Sequence, residues 1–207
     1  ILKSTVPPKT TEDLVYNRIK EIRQFDDPLV AFCPERLAEG NAINEFESIP
    51  VVVGGMNEKS SELASFFWQE VLNIETVVLS SARSAEMVKL ADNLWIDLNI
   101  ALANEIALLS DNLGLDSLDV IRAANSLPKG MHNVNILYPG LGVGGYCLTK
   151  DPWFVHHLGK KFNLDLKTPV ASRQVNDSMP EYTFKVIKKE FEKKGLEMSS
   201  SRVGVLG

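Results

Sequence analysis

The residues best suited to chemistry lie in the run Gly140–Asp151, GLGVGGYCLTKD. A cysteine there follows several glycines and precedes a predicted helix. Glycines at 142, 144 and 145 let backbone approach a ligand closely and aim N–H groups at it. A thiol at a helix N-terminus has its thiolate favoured by the helix dipole and by unpaired N–H groups. Lys150 adds positive charge nearby. Cys147 is therefore read as a nucleophile, against the alternative of a buried core thiol. Cys33 ends an apolar run with no basic neighbour and reads as core. The same glycines do not form a dinucleotide loop: Gly140-x-Gly142 is half of that fingerprint, Tyr146 and Cys147 stand near the place of its third glycine, and Pro139 breaks the run before it.

A second cluster lies on a predicted long helix. Glu86, Lys89 and Asn93 fall at i, i+3 and i+7, within about 60° on one face. A polar stripe on an otherwise apolar helix needs partners. A surface Glu–Lys pair is the ordinary reading, but a lysine partly buried in an apolar helix can stabilise an alkoxide or donate to a reacting oxygen. A third cluster is CPERLAEG, Cys33–Gly40. Glu35 and Glu39 follow a predicted strand, where ligands bind in open α/β sheets, and two carboxylates in one loop suit general-base work. A solvated loop with ordinary charges is the alternative.

The elements that must position these groups follow from periodicity. Thr10 or Thr11 is placed to cap a helix with Glu12 and Asp13 in its first turn and Leu14, Ile19 and Ile22 as its stripe. Strands are predicted at 29–33, 50–54 and 75–79, with an amphipathic helix over 60–72 whose apolar side is Leu63, Phe66, Phe67 and Val71. Strands alternating with helices argue for a parallel α/β sheet in the first third. One helix without Gly or Pro is then predicted from Ala82 to Leu113, roughly 48 Å long, with Gly114 as its C-cap. A second helix is predicted from Asp116 or Ser117 to Ala124. The loop 126–147 holds five glycines and two prolines. Further helices start near Pro152 and Pro169, the latter kinked or restarted at Pro180 and ended by Gly195. The long helix is apolar nearly all round, which predicts a dimer across it, or covering by neighbouring domains.

Composition narrows the class. The chain has 207 residues, 44% hydrophobic and 24% charged, with a net charge of −5. That is ordinary globular composition. An acidic chain without a basic tract does not coat nucleic acid, and the lysines from 185 to 194 are interleaved with glutamates as on a solvated helix face. No apolar run is long enough to span a bilayer. Two cysteines make no disulfide framework, so a cytoplasmic setting is expected. The chain opens inside an apolar run and closes in SRVGVLG, which reads as a strand entering a glycine turn, so a piece of a longer polypeptide is expected.

Six motifs in this order resemble the UDP-glucose/GDP-mannose dehydrogenase family: STVPP (4–8), PERLAEG (34–40), SAEMVKLADN (84–93) continued by NIALANEIA (99–107), GVGGYCLTKD (142–151), RQVNDSMP (173–180) and SRVGVLG (201–207). The resemblance covers nearly the whole chain. It implies the end of a Rossmann-type NAD-binding domain (1–80), an all-helical central dimerisation and catalytic domain (81–168), and a connecting helix with the first strand of a UDP-sugar-binding domain (169–207). It implies NAD-dependent oxidation of a UDP-sugar C6 alcohol to the acid through a thioester on Cys147. Lys89 and Asn93 would stabilise oxyanions, Asp151 position a water, Glu35 serve as base for thioester hydrolysis with Glu39 supporting it, and Thr5 line the site. Thr5, Glu39 and Lys150 are expected at the cofactor, and Asn133, Gly142, Gly144 and Gly145 at the sugar. Asn133 stands where the family often has an arginine, and Arg36 where UDP-glucose enzymes have an aromatic. PER, VNIL and KDPWF resemble members that oxidise UDP-N-acetylhexosamines. A UDP-glucose or GDP-mannose 6-dehydrogenase, a non-catalytic dimerisation module and a cysteine-free hydroxyacid dehydrogenase are the other readings, and Cys147 argues against the last.

Overall fold

The computed structural model describes residues 1–24, 26–38 and 40–205; the role expected of Glu39 lies outside them. The chain divides into two compact units, Ile1–Leu94 and Trp95–Gly207.

The first unit is built on a three-stranded sheet in the order β1 (Ala31–Phe32), β2 (Val51–Gly55), β3 (Thr76–Leu79). β2 and β3 are parallel, but β1 runs antiparallel to β2, pairing Ala31 with Gly55 and Phe32 with Gly54. The all-parallel sheet expected from the alternation of elements is thus mixed. Parallel neighbours require a crossover that covers a sheet face. The segment between β1 and β2 instead carries α2 (Ala42–Ser48), which buries no residue, and the chain returns beside β1 in the opposite sense. Leu2 forms a parallel bridge to Phe32: its N–H donates to the Ala31 carbonyl and its carbonyl accepts from Cys33, both at 2.8 Å.

Two apolar clusters flank the sheet. Ala31, Cys33, Val53, Ala64, Trp68 and Ile74 form one; Phe32, Val52, Ala82 and Ala85 form the other, with Leu2, Val6 and Val88 packed against it. Asn57 caps α3 (Glu58–Phe66) by accepting the Ser60 N–H at 2.8 Å, and a π-helical turn (Phe67–Val71) continues it. Its buried side is Ser60, Ala64, Ser65 and Trp68, whereas Leu63, Phe66, Phe67 and Val71, the expected core face, are exposed. Close packing explains the reversal. A Cβ on Gly55 would overlap the Ser61 backbone, so the start of α3 sits hard against β2 and the small Ser60, Ala64 and Ser65 are buried there, with Trp68 a turn further on.

A helix starts at Thr11 with a π-helical turn (Thr11–Tyr16) and continues as α1 (Asn17–Arg23). Neither Thr10 nor Thr11 caps it through its side chain: the Thr10 hydroxyl donates to the Pro7 carbonyl at 2.6 Å. Leu14 and Ile22 are exposed.

α4 (Ala82–Leu113) has the predicted extent. Gly114 at φ 69° ends it, with the Leu115 N–H returning to the Ser110 carbonyl at 2.9 Å. In the second unit follow α5 (Ser117–Ala124), capped by Asp116, then α6 (Asp151–Lys161) and α7 (Thr168–Lys193). α7 is continuous through Pro180 rather than restarted there. The loop after α5 carries a short hairpin, β4 (Pro128–Lys129) with β5 (His132–Asn133), turning at Gly130. Residues 201–205, expected as a strand, form none: they have no ladder partner, and Val203 and Val205 are exposed. No helix among the described residues is long and apolar enough to cross a membrane.

Candidate active site

In the first unit the expected stripe on α4 is buried: Glu86, Lys89 and Asn93 are 0%, 7% and 5% exposed. Glu86 is not a surface partner of Lys89. Its carboxylate accepts the backbone N–H groups of Lys9 and Thr11 and the Thr11 hydroxyl, each at 2.7 Å. It thereby satisfies the free N–H groups at the start of the Thr11 helix, the task the sequence assigned to a threonine. It also fixes the segment downstream of Thr5, which is half-buried between the Leu2 bridge and the turn at Pro7–Thr10. Lys89 and Asn93 follow on the same face of α4, Lys89 sequestered from solvent beside the fully buried Leu90.

Glu35 is exposed and follows β1. Because β1 opposes β2 and β3, Glu35 lies toward the amino ends of those strands. The rule placing ligands at carboxyl ends holds only for the parallel pair formed by the Leu2 segment and β1. The Glu35 carboxylate accepts the Leu37 N–H, and its own N–H reaches the Lys3 carbonyl at 3.4 Å. Arg36 ties this loop to α4: its Nε donates to Asp92 at 3.0 Å and its Nη1 to the Pro50 carbonyl at 3.4 Å. Asp92 adjoins Asn93, so the ion pair links the Glu35 loop to the turn of α4 that carries Lys89 and Asn93.

A small cleft beside the loop is lined by Lys3, Glu35, Arg36, Phe46, Pro50 and Trp68, among others. The Lys3 ammonium lies 4.7 Å from the centroid of the Trp68 ring. Burial lowers its pKa, opposed by the charges of Cys33 and Glu35. Cys33 is a core thiol as expected: it is fully buried, and burial pushes its pKa up against a contact from Trp68 and the charge of Lys3.

In the second unit Cys147 is exposed, in a turn spanning 145–150 that leads into α6. Its carbonyl accepts the N–H of Lys150 at 3.1 Å and of Asp151 at 2.9 Å. The second is an i→i−4 bond, in the turn that leads into α6, whose N-cap is Lys150. The Thr149 hydroxyl closes the turn on the Gly145 carbonyl at 2.6 Å. Asp151 is fully buried, with the Lys150 ammonium 3.6 Å from its Oδ1. Lys150 is half-exposed and lies 4.9 Å from the Phe154 ring centroid. Asn133 is exposed in β5. Gly144 and Gly145 face open space, whereas Gly142, at φ 96°, is set so closely against the Asn176 carbonyl that a Cβ would overlap it. The glycine at 142 is thus required by packing on α7.

The polar stripe of α4 extends further than first read. Asp97 and Asn104 stand at i+11 and i+18 from Glu86, about 20° and 0° around the helix, and both are fully buried. Their partners Arg173 and Asn176 lie on α7. Continuing the angular count past Asn93 finds Asp97 and Asn104; only tertiary structure supplies the other two.

The only turn in the described residues that runs from a strand through a Gly-Gly pair to a helix is β2–Gly54–Gly55–α3. It is closed by Ser81, Ala85 and Ser61 at its glycines, and Asn57 at the helix start is bonded to Asp27 at 2.7 Å. It offers no cradle for a pyrophosphate.

Two models of one family match the chain: the NAD binding domain of the UDP-glucose/GDP-mannose dehydrogenase family over residues 1–72, and its central domain over residues 83–178. The UDP-N-acetyl-D-mannosamine dehydrogenase of Methanococcus aeolicus is 39% identical over 207 residues, all of this chain and 44% of that protein. The NDP-N-acetyl-D-galactosaminuronic acid dehydrogenase of Ralstonia nicotianae is 38% identical over 162 residues, 78% of this chain and 36% of that protein. The solved UDP-D-ManNAc dehydrogenase of Pyrococcus horikoshii superposes with a TM-score of 0.87 at 34% identity, over 99% of this chain and 48% of that one. The chain therefore spans less than half the length of these relatives.

Replacing Glu86 with alanine strands three donors, two of them on the buried Thr11. It is expected to lower unfolding free energy by about 3 kcal/mol in urea titration. An unchanged midpoint would contradict the capping role.

Proposed function

The chain belongs to the UDP-glucose/GDP-mannose dehydrogenase family, and on that premise we propose that it supplies the catalytic middle of an NAD-dependent UDP-N-acetylhexosamine 6-dehydrogenase of the UDP-N-acetylmannosamine type. The observation carrying this reading is the exposed Cys147 at the head of α6, within a sequence 39% identical to UDP-N-acetyl-D-mannosamine dehydrogenases.

The chemistry assigned to the residues is as follows. NAD, when bound, supplies the hydride acceptor for both oxidations of C6. The Cys147 sulfur attacks the aldehyde carbon left by the first oxidation, forming a C–S bond as the carbonyl pair moves onto oxygen. Lys89 and Asn93 donate to that oxyanion. Loss of the second hydride from C6 leaves a thioester on Cys147. Glu35 takes a proton from water as the water attacks the thioester; the C–S bond breaks, the sulfur leaves as thiolate and the acid departs. Asp151 helps place this water, and Thr5 lines the site. Asn133, Gly142, Gly144 and Gly145 are assigned to the sugar, and Thr5, Glu39 and Lys150 to the cofactor. Since the glycine turn before α3 is closed, the pyrophosphate is assigned to sequence outside the described residues.

The corresponding domain assignment is an NAD-binding portion over 1–80, a central helical domain over 81–168 and a connecting segment over 169–207. We also assign a homodimer across α4. Trp95, Leu98, Leu102, Leu109 and Leu113 recur every three to four residues or multiples of seven, and all are exposed, although apolar stripes of this width are ordinarily covered. A cytoplasmic setting follows from substrate and cofactor.

The test uses the full-length protein with and without Cys147→Ser, assayed with NAD and UDP-glucose, UDP-N-acetylglucosamine and UDP-N-acetylmannosamine. Oxidation of UDP-N-acetylmannosamine, with acid formation reduced by about three orders of magnitude in the variant, supports the reading. Unchanged turnover in the variant would return Cys147 to a structural role, and preference for UDP-glucose would remove the substrate assignment. For the dimer, Leu102→Glu is expected to sediment as monomer; an unmodified chain that is already monomeric at micromolar concentration contradicts it.

A further inference from the structure

The contact between α4 and α7 in the second unit is polar where helix contacts are ordinarily apolar. Asp97, Asn104, Arg173 and Asn176 are all at most 2% exposed. Arg173 Nη1 donates to Asp97 Oδ1 at 2.7 Å, and Asn176 Nδ2 donates to the same oxygen and to the Asp97 carbonyl, each at 2.9 Å. Asn104 Nδ2 donates to Asn176 Oδ1 at 3.0 Å, and Asn104 Oδ1 accepts the Gly140 N–H at 2.8 Å.

The order of donors is forced. A backbone N–H only donates, so Asn104 must turn its oxygen to Gly140 and its nitrogen to Asn176. Asn176 must then turn its oxygen to Asn104 and its nitrogen to the Asp97 carboxylate. Every amide dipole runs the same way, from Gly140 toward the anion that Arg173 neutralises. Only an amide fits position 104: leucine offers neither group, aspartate cannot donate, and serine is too short.

The relay ends on the loop that carries the thiol. Asn99 and Asn125 hold its upstream part, each amide both accepting from and donating to loop backbone between 135 and 137. Asn104 holds Gly140, and Gly142 rests against the carbonyl of Asn176 itself. Downstream, a Cβ on Gly144 or Gly145 would meet nothing, and the turn holds itself through the Thr149 hydroxyl on the Gly145 carbonyl at 2.6 Å. Asn104 and Asn176 thus set the points at which α4 and α7 grip the loop ahead of that turn.

We propose that Asn104 and Asn176 are positioning residues for Cys147: the relay from the Asp97–Arg173 pair fixes Gly140 and Gly142, and so aims the thiol from the head of α6 toward the substrate carbon. This rests on the reading of Cys147 as nucleophile. It adds that α7 and the nucleophile loop are one mechanical unit, in which a displacement of α7 displaces the thiol.

The experiment compares the unmodified chain with Asn104→Leu and with Asn104→Asp, which is isosteric and keeps the acceptor for Gly140 but cannot donate to Asn176. The rate of iodoacetamide alkylation at Cys147 is followed against pH by peptide mass spectrometry; Cys33 is fully buried and does not compete. The alkylation rate at Cys147 is expected to change by about threefold or more across the profile in Asn104→Leu as the loop loses its fixed place, with a smaller change in Asn104→Asp. In the full-length enzyme, kcat is expected to fall about tenfold with the sugar KM within about twofold. Ile121→Val, at a fully buried site in α5, controls for lost stability and should leave the profile in place. Folded variants with unshifted alkylation profiles and unchanged kcat would overturn the proposal; if Asn104→Leu does not fold, the Asn104→Asp profile decides. The alkylation readout does not require Cys147 to be catalytic. Failure of the nucleophile reading would show separately, as retained turnover in Cys147→Ser.

Discussion

A carboxylate taken out of water must be met by donors, or its burial costs several kcal/mol. α4 buries two. Glu86 gathers three donors from residues 9 and 11, and Asp97 gathers the Arg173 guanidinium and the Asn176 amide. Each carboxylate therefore dictates where a second segment must lie: the chain that follows Thr5 in the first unit, and α7 in the second. The same face of the helix also buries Lys89, Asn93 and Asn104. An apolar helix face tolerates sliding and repacking, since any hydrocarbon satisfies any other. A polar face does not, because every donor needs its own acceptor. Within each unit α4 thus ties its buried polar groups to fixed partners: Glu86 to residues 9 and 11 in the first, Asp97 and Asn104 to α7 and Gly140 in the second.

The polarity of this buried face has a counterpart on the rest of the helix. Its large apolar residues, Trp95, Leu98, Leu102, Leu109 and Leu113, are exposed within the chain. Much of the usual arrangement is reversed: charge and amide lie inward, and apart from the buried Leu90 these large apolar side chains lie outward. Small residues make the inward packing possible, with Ala85 just ahead of Glu86, and Ala101 and Ala103 just ahead of Asn104, at most 3% exposed.

Sequence reasoning read the elements well where one helix or one turn set them. The span of α4, the left-handed glycine at 114 and the placement of Cys147 ahead of α6 all follow from local rules. It failed where the deciding partner is distant in the chain. The cap of the first helix comes from Glu86, some 75 residues away, so the threonines beside that helix drew an assignment that belongs to another element. Periodicity gives α3 the stripe Leu63, Phe66, Phe67 and Val71 without saying what fits beneath the helix; the close approach at Gly55 sets Ser60, Ala64 and Ser65 with Trp68 inward instead. The antiparallel turn of β1 leaves no signature in a run of two or three apolar residues. The close approach of Gly142 to α7 depends on the Asn176 carbonyl, some 34 residues on, which spacing does not reveal. Asp97 and Asn104 were legible in the spacing, but Arg173 and Asn176 lie some 72 to 76 residues from their partners.

The account centres on a covalent bond between the substrate carbon and Cys147. The most direct measurement is intact-mass and peptide mass spectrometry of the full-length enzyme carrying Glu35→Gln, quenched in acid after incubation with NAD and UDP-N-acetylmannosamine. With hydrolysis slowed, the account predicts an adduct with the mass of the acyl nucleotide sugar on the peptide containing Cys147 and on no other. NAD reduction without any adduct, or an adduct on a different residue, would contradict it.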